Sequence, residues 1–441
     1  MTTTQNDVTF DFPLESTHKR QANAQEQMAI LMAHQNTVLE RIAIASGASL
    51  PSADWAALAA MTASVSNAAD LSHHVTIGDS ATDTFTDTTA TPDPVAYNMP
   101  WNLVDFRDVK KHDGTVVPAI IVQAAYASIK DVQFDAPEAA VFTATGLPAG
   151  TYNITSSYAL GDNFAANTTM QFTLENAVPA GGQIFISDTT VKVFASALAT
   201  VASETVTATA GSEGTPLGTM EAVVPSGTVT ISGTENTYRR NGGHRARYGY
   251  NRYAQSAVRQ NLNSAEAAAT VGTDAAGTLT GGWWTPQNDF DRPPAQAATI
   301  PGFMASLPAG LIAAAGPVEV KTALNTADAT AEGVNFDTTY DRFWLPSLEE
   351  LYVTPQLAGE GDEFEYYKEL NGTTTKFATG GTYPILRSYA VNAHSTSQSV
   401  RLRSAGRGGG ATAWCVNSSG AVSTYSAHSS YRVRPACAVH Q

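Results

Sequence analysis

Between residues 140 and 235 the chain repeats one pattern. Gly150-Thr-Tyr152-Asn-Ile154, Met170-Gln-Phe172-Thr-Leu174, Gln183-Ile-Phe185-Ile186 and Val191-Lys-Val193-Phe194 alternate apolar and polar residues. Successive side chains of a strand point to opposite faces, so this period of two marks half-buried strands and excludes long helices. Pro148-Ala-Gly150 and Pro179-Ala-Gly-Gly182 separate the pieces as turns. The segment predicts an all-β, sandwich-like and immunoglobulin-like unit.

Shorter signals flank it. Trp101-Asn-Leu103-Val-Asp105-Phe106 alternates in the same way, and Asp113-Gly114 precedes the apolar run Val116 to Gln123. Both predict strands, joined by a tight turn. Upstream, Met28, Leu31, Val38, Ile42 and Ala45 recur at spacings that predict a helix over 18–46, ended by Gly47. It serves either as a short oligomerisation stalk or as an amphipathic helix packed on its own domain. Ser52 to Met61 predicts a second helix, capped by Ser52 or Asp54. Downstream, Tyr253 to Leu262 and the segment from Leu345 to Leu351 predict two more.

Charge is divided unevenly. The chain carries −15 overall, but from Phe377 to Gln441 it has six arginines and no Asp, Glu or Lys. Residues 1–376 therefore carry −21 and the tail +6. A net negative surface repels phosphates and anionic membranes, so neither nucleic acid nor membrane is an expected partner. No stretch reaches the roughly 20 apolar residues of a membrane helix. Met1 to Glu15 has no basic region followed by an apolar one, so no secretory signal is expected. Two cysteines, Cys415 and Cys437, are too few for a disulfide framework and read either as buried small hydrophobes or as one bridge.

The tail holds the densest set of motifs. Leu386-Arg387-Ser388 and Leu402-Arg403-Ser404 repeat one unit, Ala413-Trp414-Cys415-Val416-Asn417 follows, and Val433-Arg434-Pro435 closes it. Small, hydroxylic and aromatic residues lie between them. Upstream stand Tyr248-Gly-Tyr-Asn251-Arg252-Tyr253, Trp283-Trp284, Pro301-Gly302-Phe303 and Tyr340-Asp341-Arg342-Phe343-Trp344-Leu345-Pro346-Ser347. With these pieces the chain resembles the variable proteins of diversity-generating retroelements, in the branch with a C-type lectin fold related to formylglycine-generating enzyme. The resemblance covers about 75–135 and 236–441.

The resemblance implies an α+β class: a C-type-lectin-like domain with an inserted all-β segment and an N-terminal helical region. The divisions expected are 1–74 for oligomerisation or attachment, 75–139 for the first part of the lectin-like domain, 140–235 for the insertion and 236–441 for the remainder. The variable region would run over about 389–431. It also implies that adenines in Asn codons are randomised, which cannot produce Lys, Glu, Gln, Met or Trp. From Gly406 to Tyr431 there is no Lys, Glu, Gln or Met, and Trp414 would be scaffold.

The ligand-binding positions implied are Asn392, His394, Gly406, Arg407, Gly408, Gly409, Thr412, Cys415, Ala421, Ser423, Thr424, Tyr425, Ser426, His428, Ser429 and Tyr431. Tyr425, Tyr431 and His428 would be anchors, because Tyr offers rigid amphipathic area. Arg407 would add a charge contact. Arg387, Arg403, Arg432 and Arg434 would pair with buried acids such as Asp341 or Asp291.

No catalytic residue, metal ligand or cofactor is expected. The related enzymes use a cysteine pair, but Cys415 falls at a position that reads as diversified. Glu360-Gly-Asp362-Glu363 reads as an exposed acidic loop, and His73-His74 lacks a third ligand at metal-site spacing. Gly408-Gly-Gly410 lacks the Lys of a phosphate loop. The implied function is a receptor-binding protein of a bacteriophage particle, made in the bacterial cytoplasm and carried on the virion. Its partners would be a host surface protein or glycan, copies of itself in a trimer, and other virion proteins reached through the N-terminus. A structural decoration or tail protein with an inert C-terminus, and a bacterial variable surface protein, are the alternatives.

Overall fold

The last strand of the chain lies inside the main sheet. A computed structural model describes residues 54–137, the strands and some turn residues of 140–233, and residues 248–269, 282–287 and 291–441. The helix expected over 18–46 lies outside the described residues.

Helix α1 (Trp55–Ala63) is capped by the Asp54 carboxylate, which accepts from the Ala57 amide. Then come β1 (Ser80–Asp87), β2 (Val95–Lys110) and β3 (Val116–Ala124). The Asp113-Gly114 turn joins β2 to β3, with Gly114 at φ +86° and the Asp113 carboxylate accepting from the Thr115 amide. A short β4 (Val132–Gln133) follows. Nine strands, β5–β13, from Ala140–Ala144 to Gly227–Gly233, form an antiparallel sheet of their own.

Beyond them lie α2 (Ala257–Leu262), α3 (Ala309–Ala314), β14 (Val318–Ala323), α4 (Thr326–Glu332), β15 (Phe336–Asp341), β16 (Phe343–Trp344) and α5 (Glu365–Asn371). The tail supplies β17 (Ser388–Ala390), β18 (Ala393–Gln398), β19 (Val400–Ala405), β20 (Thr412–Val416), β21 (Val422–Ser426), β22 (Ser430–Tyr431) and β23 (Ala436–Val439).

The main sheet has the order β1-β2-β3-β23-β16. Cys437 in β23 sits opposite Val122 on one side and Phe343 on the other. Ala119–Val122 and Ala436–Val439 are buried without alternation, because both sheet faces are covered. Trp101 and Phe343 pack with ring centroids 6.0 Å apart, and Phe303 meets Phe343 at the same distance. Strands β17–β22 are thus spliced in sequence between β16 and β23 of one core.

The expected lectin-like α+β class is overturned by this architecture. Antiparallel sheets carry the fold, the described α-helices run from six to nine residues, and no feature of a C-type lectin is present among the described residues. Two helix expectations fail, one for a local reason and one through a distant contact. Tyr253 to Leu262 breaks at Ser256, whose hydroxyl accepts from the Arg259 amide and so starts α2 instead of continuing a longer helix. Around Ser347 a reciprocal capping box does form: the Ser347 amide donates to Glu350 Oε2 and the Glu350 amide to Ser347 Oγ. Only a turn follows it, because Tyr352 takes φ +60° and the Glu350 carboxylate is held by Arg403.

Candidate functional site

The hairpin β20–β21 is the frame of the site. Its register places Ala413 opposite Tyr425, Cys415 opposite Ser423, Trp414 opposite Thr424 and Thr412 opposite Ser426. Directly opposed residues share a face. Tyr425 and Ser423 therefore project from one side, and Thr424 and Ser426 from the other. β19 adds Arg401 beside Cys415, on the Tyr425 side.

Arg401 organises that side. Its guanidinium is 1% exposed and donates to four carbonyls: Ala413 at 3.0 Å, Tyr425 at 3.2 Å, Ser426 at 2.9 Å and Ser429 at 3.0 Å. The Tyr431 ring lies over it, with the guanidinium carbon 4.5 Å from the centroid. Burial pushes the Arg401 pKa down to about 10, so it stays charged at neutral pH. Tyr431 meets Tyr425 edge to face at 5.5 Å.

Asn251 does the same for the glycine loop 406–410. This side chain is fully buried, and its amide nitrogen lies within 3.1 Å of the carbonyls of Gly406, Gly409 and Thr412. Its own backbone amide donates to Gly410 O. Asn325 Nδ2 donates to Asn251 Oδ1 and fixes the amide's orientation. Elsewhere Gln133 Nε2 donates to His428 O, the His428 amide to Tyr248 O, and the Asp135 amide to Ala427 O. In each of these contacts the scaffold grips the main chain of the tail, not its side chains.

Fourteen of the sixteen predicted positions fall into five groups. Tyr425, Tyr431, Ser423, Ser429 and His428 border the Arg401 side, where Tyr425 is exposed and the others are half-buried. His428 packs against Tyr248 at 5.7 Å. Thr412, Thr424 and Ser426 share the opposite hairpin face, and Arg407, Gly408 and Gly409 form the adjoining loop. Ala421 sits in the turn at the far end of the hairpin, where its amide donates to Asn417 Oδ1. Asn392 and His394 belong to the separate β17–β18 pair, and His394 stacks on Tyr126 at 4.1 Å.

Two positions are corrected as display sites. Cys415 is fully buried beside Arg401, and desolvation pushes its thiol up to about 11. Gly406 is buried, and a Cβ there would stand 2.3 Å from Thr412 Oγ1. Cβ atoms at Gly408 and Gly409 would meet nothing within 4 Å. Both cysteines are free and buried, and burial also raises the Cys437 thiol, so neither is a thiolate at neutral pH.

The arginines of the motifs find other partners than Asp341 and Asp291. Arg403 pairs with Glu350 and Arg432 with Asp131 at 2.8 Å. Arg387 donates to Ser419 O, and Arg434 to Ala124 O. Asp341 is held by Arg259 at 2.7 Å. Glu360, expected in an exposed acidic loop, is buried; it accepts from the Ala323 amide and the Ser404 hydroxyl.

Arg401 and Asn251 carry the site's geometry, yet neither was expected as a site residue; Asn251 entered only as part of the motif at 248–253. The available signal was an arginine in the alternating segment Val400-Arg-Leu-Arg-Ser-Ala405, and an asparagine among aromatics at Tyr250 and Tyr253. A cavity of about 350 Å3 lies between β2, β14 and residues 359–362. It includes none of the sixteen positions, and its Arg107, Lys110 and Arg403 are already paired with Asp105, Glu319 and Glu350. Among the described residues no cluster of three or more His, Cys, Asp or Glu could hold a metal ion.

Fold and site together define a strand-dominated protein with an aromatic, hydroxyl-bearing hairpin surface. Residues 226–441 are similar to a family model described as a domain of unknown function, DUF6273. No curated protein and no solved structure matches the chain.

Proposed function

We propose that this chain is a non-enzymatic binding protein that displays exchangeable side chains on β20–β21 and the loops 406–410 and 427–431. The observation that carries this reading is the main-chain grip. Arg401 and Asn251 fix the hairpin and loop through backbone carbonyls, so side chains at Gly408, Gly409, Thr424 and Tyr425 can change without loss of a hydrogen bond that holds the loop. A surface built for variation needs this property, because contacts to the main chain survive a change of side chain.

The composition of 406–431 supports diversification by adenine randomisation, the mechanism of a retroelement variable protein. A receptor-binding protein on a phage particle, facing a host surface protein, is the use we favour, with the N-terminal segment joining copies of the chain to each other and to the virion. The test is comparison of this gene across closely related isolates. Differences should concentrate in Asn-type codons at the open positions named above and spare Gly406, Cys415, Arg401 and Asn251. Differences spread evenly along the chain would refute the reading and leave a structural protein with an inert tail.

A further inference from the structure

We infer that the Tyr425–Tyr431 surface takes an acidic protein partner, docking a carboxylate beside the two phenols; this rests on the display reading above. The argument starts from charge. Of the six tail arginines, Arg403 and Arg432 meet carboxylates. Among the described residues Arg387, Arg401, Arg407 and Arg434 do not; they donate to neutral oxygens instead. Carbonyls satisfy hydrogen bonds but cancel no net charge, so the tail's positive charge stays largely uncompensated. The Arg401 charge is the most consequential, because it is shielded from water and its field is weakly screened.

Geometry directs that field outward at one place. The guanidinium occupies one face of Tyr431, and Tyr425 meets that ring edge to face. An aromatic ring is negative on its face and positive at its edge, so a cation under the face leaves edges that attract anions. Neither phenol hydroxyl has a hydrogen-bond partner among the described residues, and Arg401 Nε is buried without one. Two free O–H donors above a buried cation match a carboxylate's acceptors. A sugar ring would instead need an open aromatic face, and the guanidinium already covers one face of Tyr431. The chain's −15 acts at longer range and is screened beyond about 8 Å at physiological ionic strength, so the local field governs contact.

The experiment uses the full chain and three probes: a decaglutamate peptide, polygalacturonate and a decalysine peptide, at about 0.15 M and 0.5 M salt. Decaglutamate should bind, weaken several-fold at the higher salt, and weaken about tenfold in Tyr425→Phe/Tyr431→Phe. The Phe variants keep the rings and remove only the hydroxyls, so a loss in them is not a folding effect. Absence of decaglutamate binding, binding unchanged by these substitutions, or preference for polygalacturonate or decalysine would overturn the inference. Each of those results leaves the display reading intact if isolates still vary at the open positions; evenly spread variation sinks the display reading whatever the peptides do.

Discussion

Three glycines within four residues set the limits of variation at the level of single side chains. Gly406 has Thr412 Oγ1 and Thr412 O at 2.3 and 2.9 Å from where a Cβ would stand, whereas Gly408 and Gly409 have open space. Gly406→Ala should therefore cost about 1–3 kcal/mol, as overpacking does. Gly408→Tyr should stay within about 0.5 kcal/mol of the parent, as open surface changes do. Thermal or urea unfolding of the two variants gives the comparison, and equal losses would mean that the loop is not held as described. The tyrosines separate in the same way. Tyr425→Ala removes an exposed ring and should be nearly neutral for stability. Tyr431→Ala uncovers a buried guanidinium and should cost about 1–2 kcal/mol, in line with a desolvated cation–π contact.

At the scale of elements the loop and hairpin depend on residues far away in sequence. Asn251→Ala would remove the side-chain donor to the carbonyls of Gly406, Gly409 and Thr412, while Gly406 O and Thr412 O keep the Gly409 and Gly406 amides. A buried unsatisfied group costs roughly 1–3 kcal/mol, so a loss of about 1–3 kcal/mol is expected. Hydrogen exchange should show faster exchange at the Gly406 and Asn251 amides, with the β2–β3 amides unchanged; uniform acceleration across both regions would show that Asn251 supports the whole core instead. Strands were the most readable elements, because alternation in Trp101–Phe106 and the turn at Asp113-Gly114 are local signals. The short helices were not. The capping box at Ser347 is present in sequence and in space, but what stops the helix is a salt bridge to Arg403, which lies more than fifty residues further on. The site was legible as a composition, through Tyr425, Tyr431 and the glycines. Its grip was not, since Arg401 and Asn251 act on backbone atoms of chain segments that sequence spacing does not bring together. Cys415 was misplaced for the same reason: nothing local distinguishes a buried residue from a displayed one in Trp414-Cys415-Val416.

At the scale of the molecule the two ends of the described chain hold one another. β23 fills the gap between β3 and β16, so removal of 436–441 would expose both strands and should abolish cooperative unfolding, read by calorimetry. The core also carries a pH dependence whose sign is fixed by Glu360. Burial pushes its carboxyl up to about 7 from 4.5, against the opposing pull of Arg403 and Ser404. The folded state then binds more protons than the unfolded state between those values, so stability is fully present below about pH 4.5 and falls as pH rises through 7. At 1.36 kcal/mol per pKa unit the loss is up to about 3 kcal/mol. Asp341 and Asp105 are raised by burial as well and act with the same sign. Glu360→Gln removes one of these contributors while keeping an acceptor for the Ala323 amide, and its NH2 can donate to a reoriented Ser404 hydroxyl. Urea midpoints measured from pH 5 to pH 8 should decline less steeply in the variant than in the parent. A variant that declines as steeply as its parent would place the titration elsewhere. A variant that unfolds at every pH would show that the negative charge beside Arg403 is required, which makes Glu360 ionised in the fold and contradicts its raised pKa.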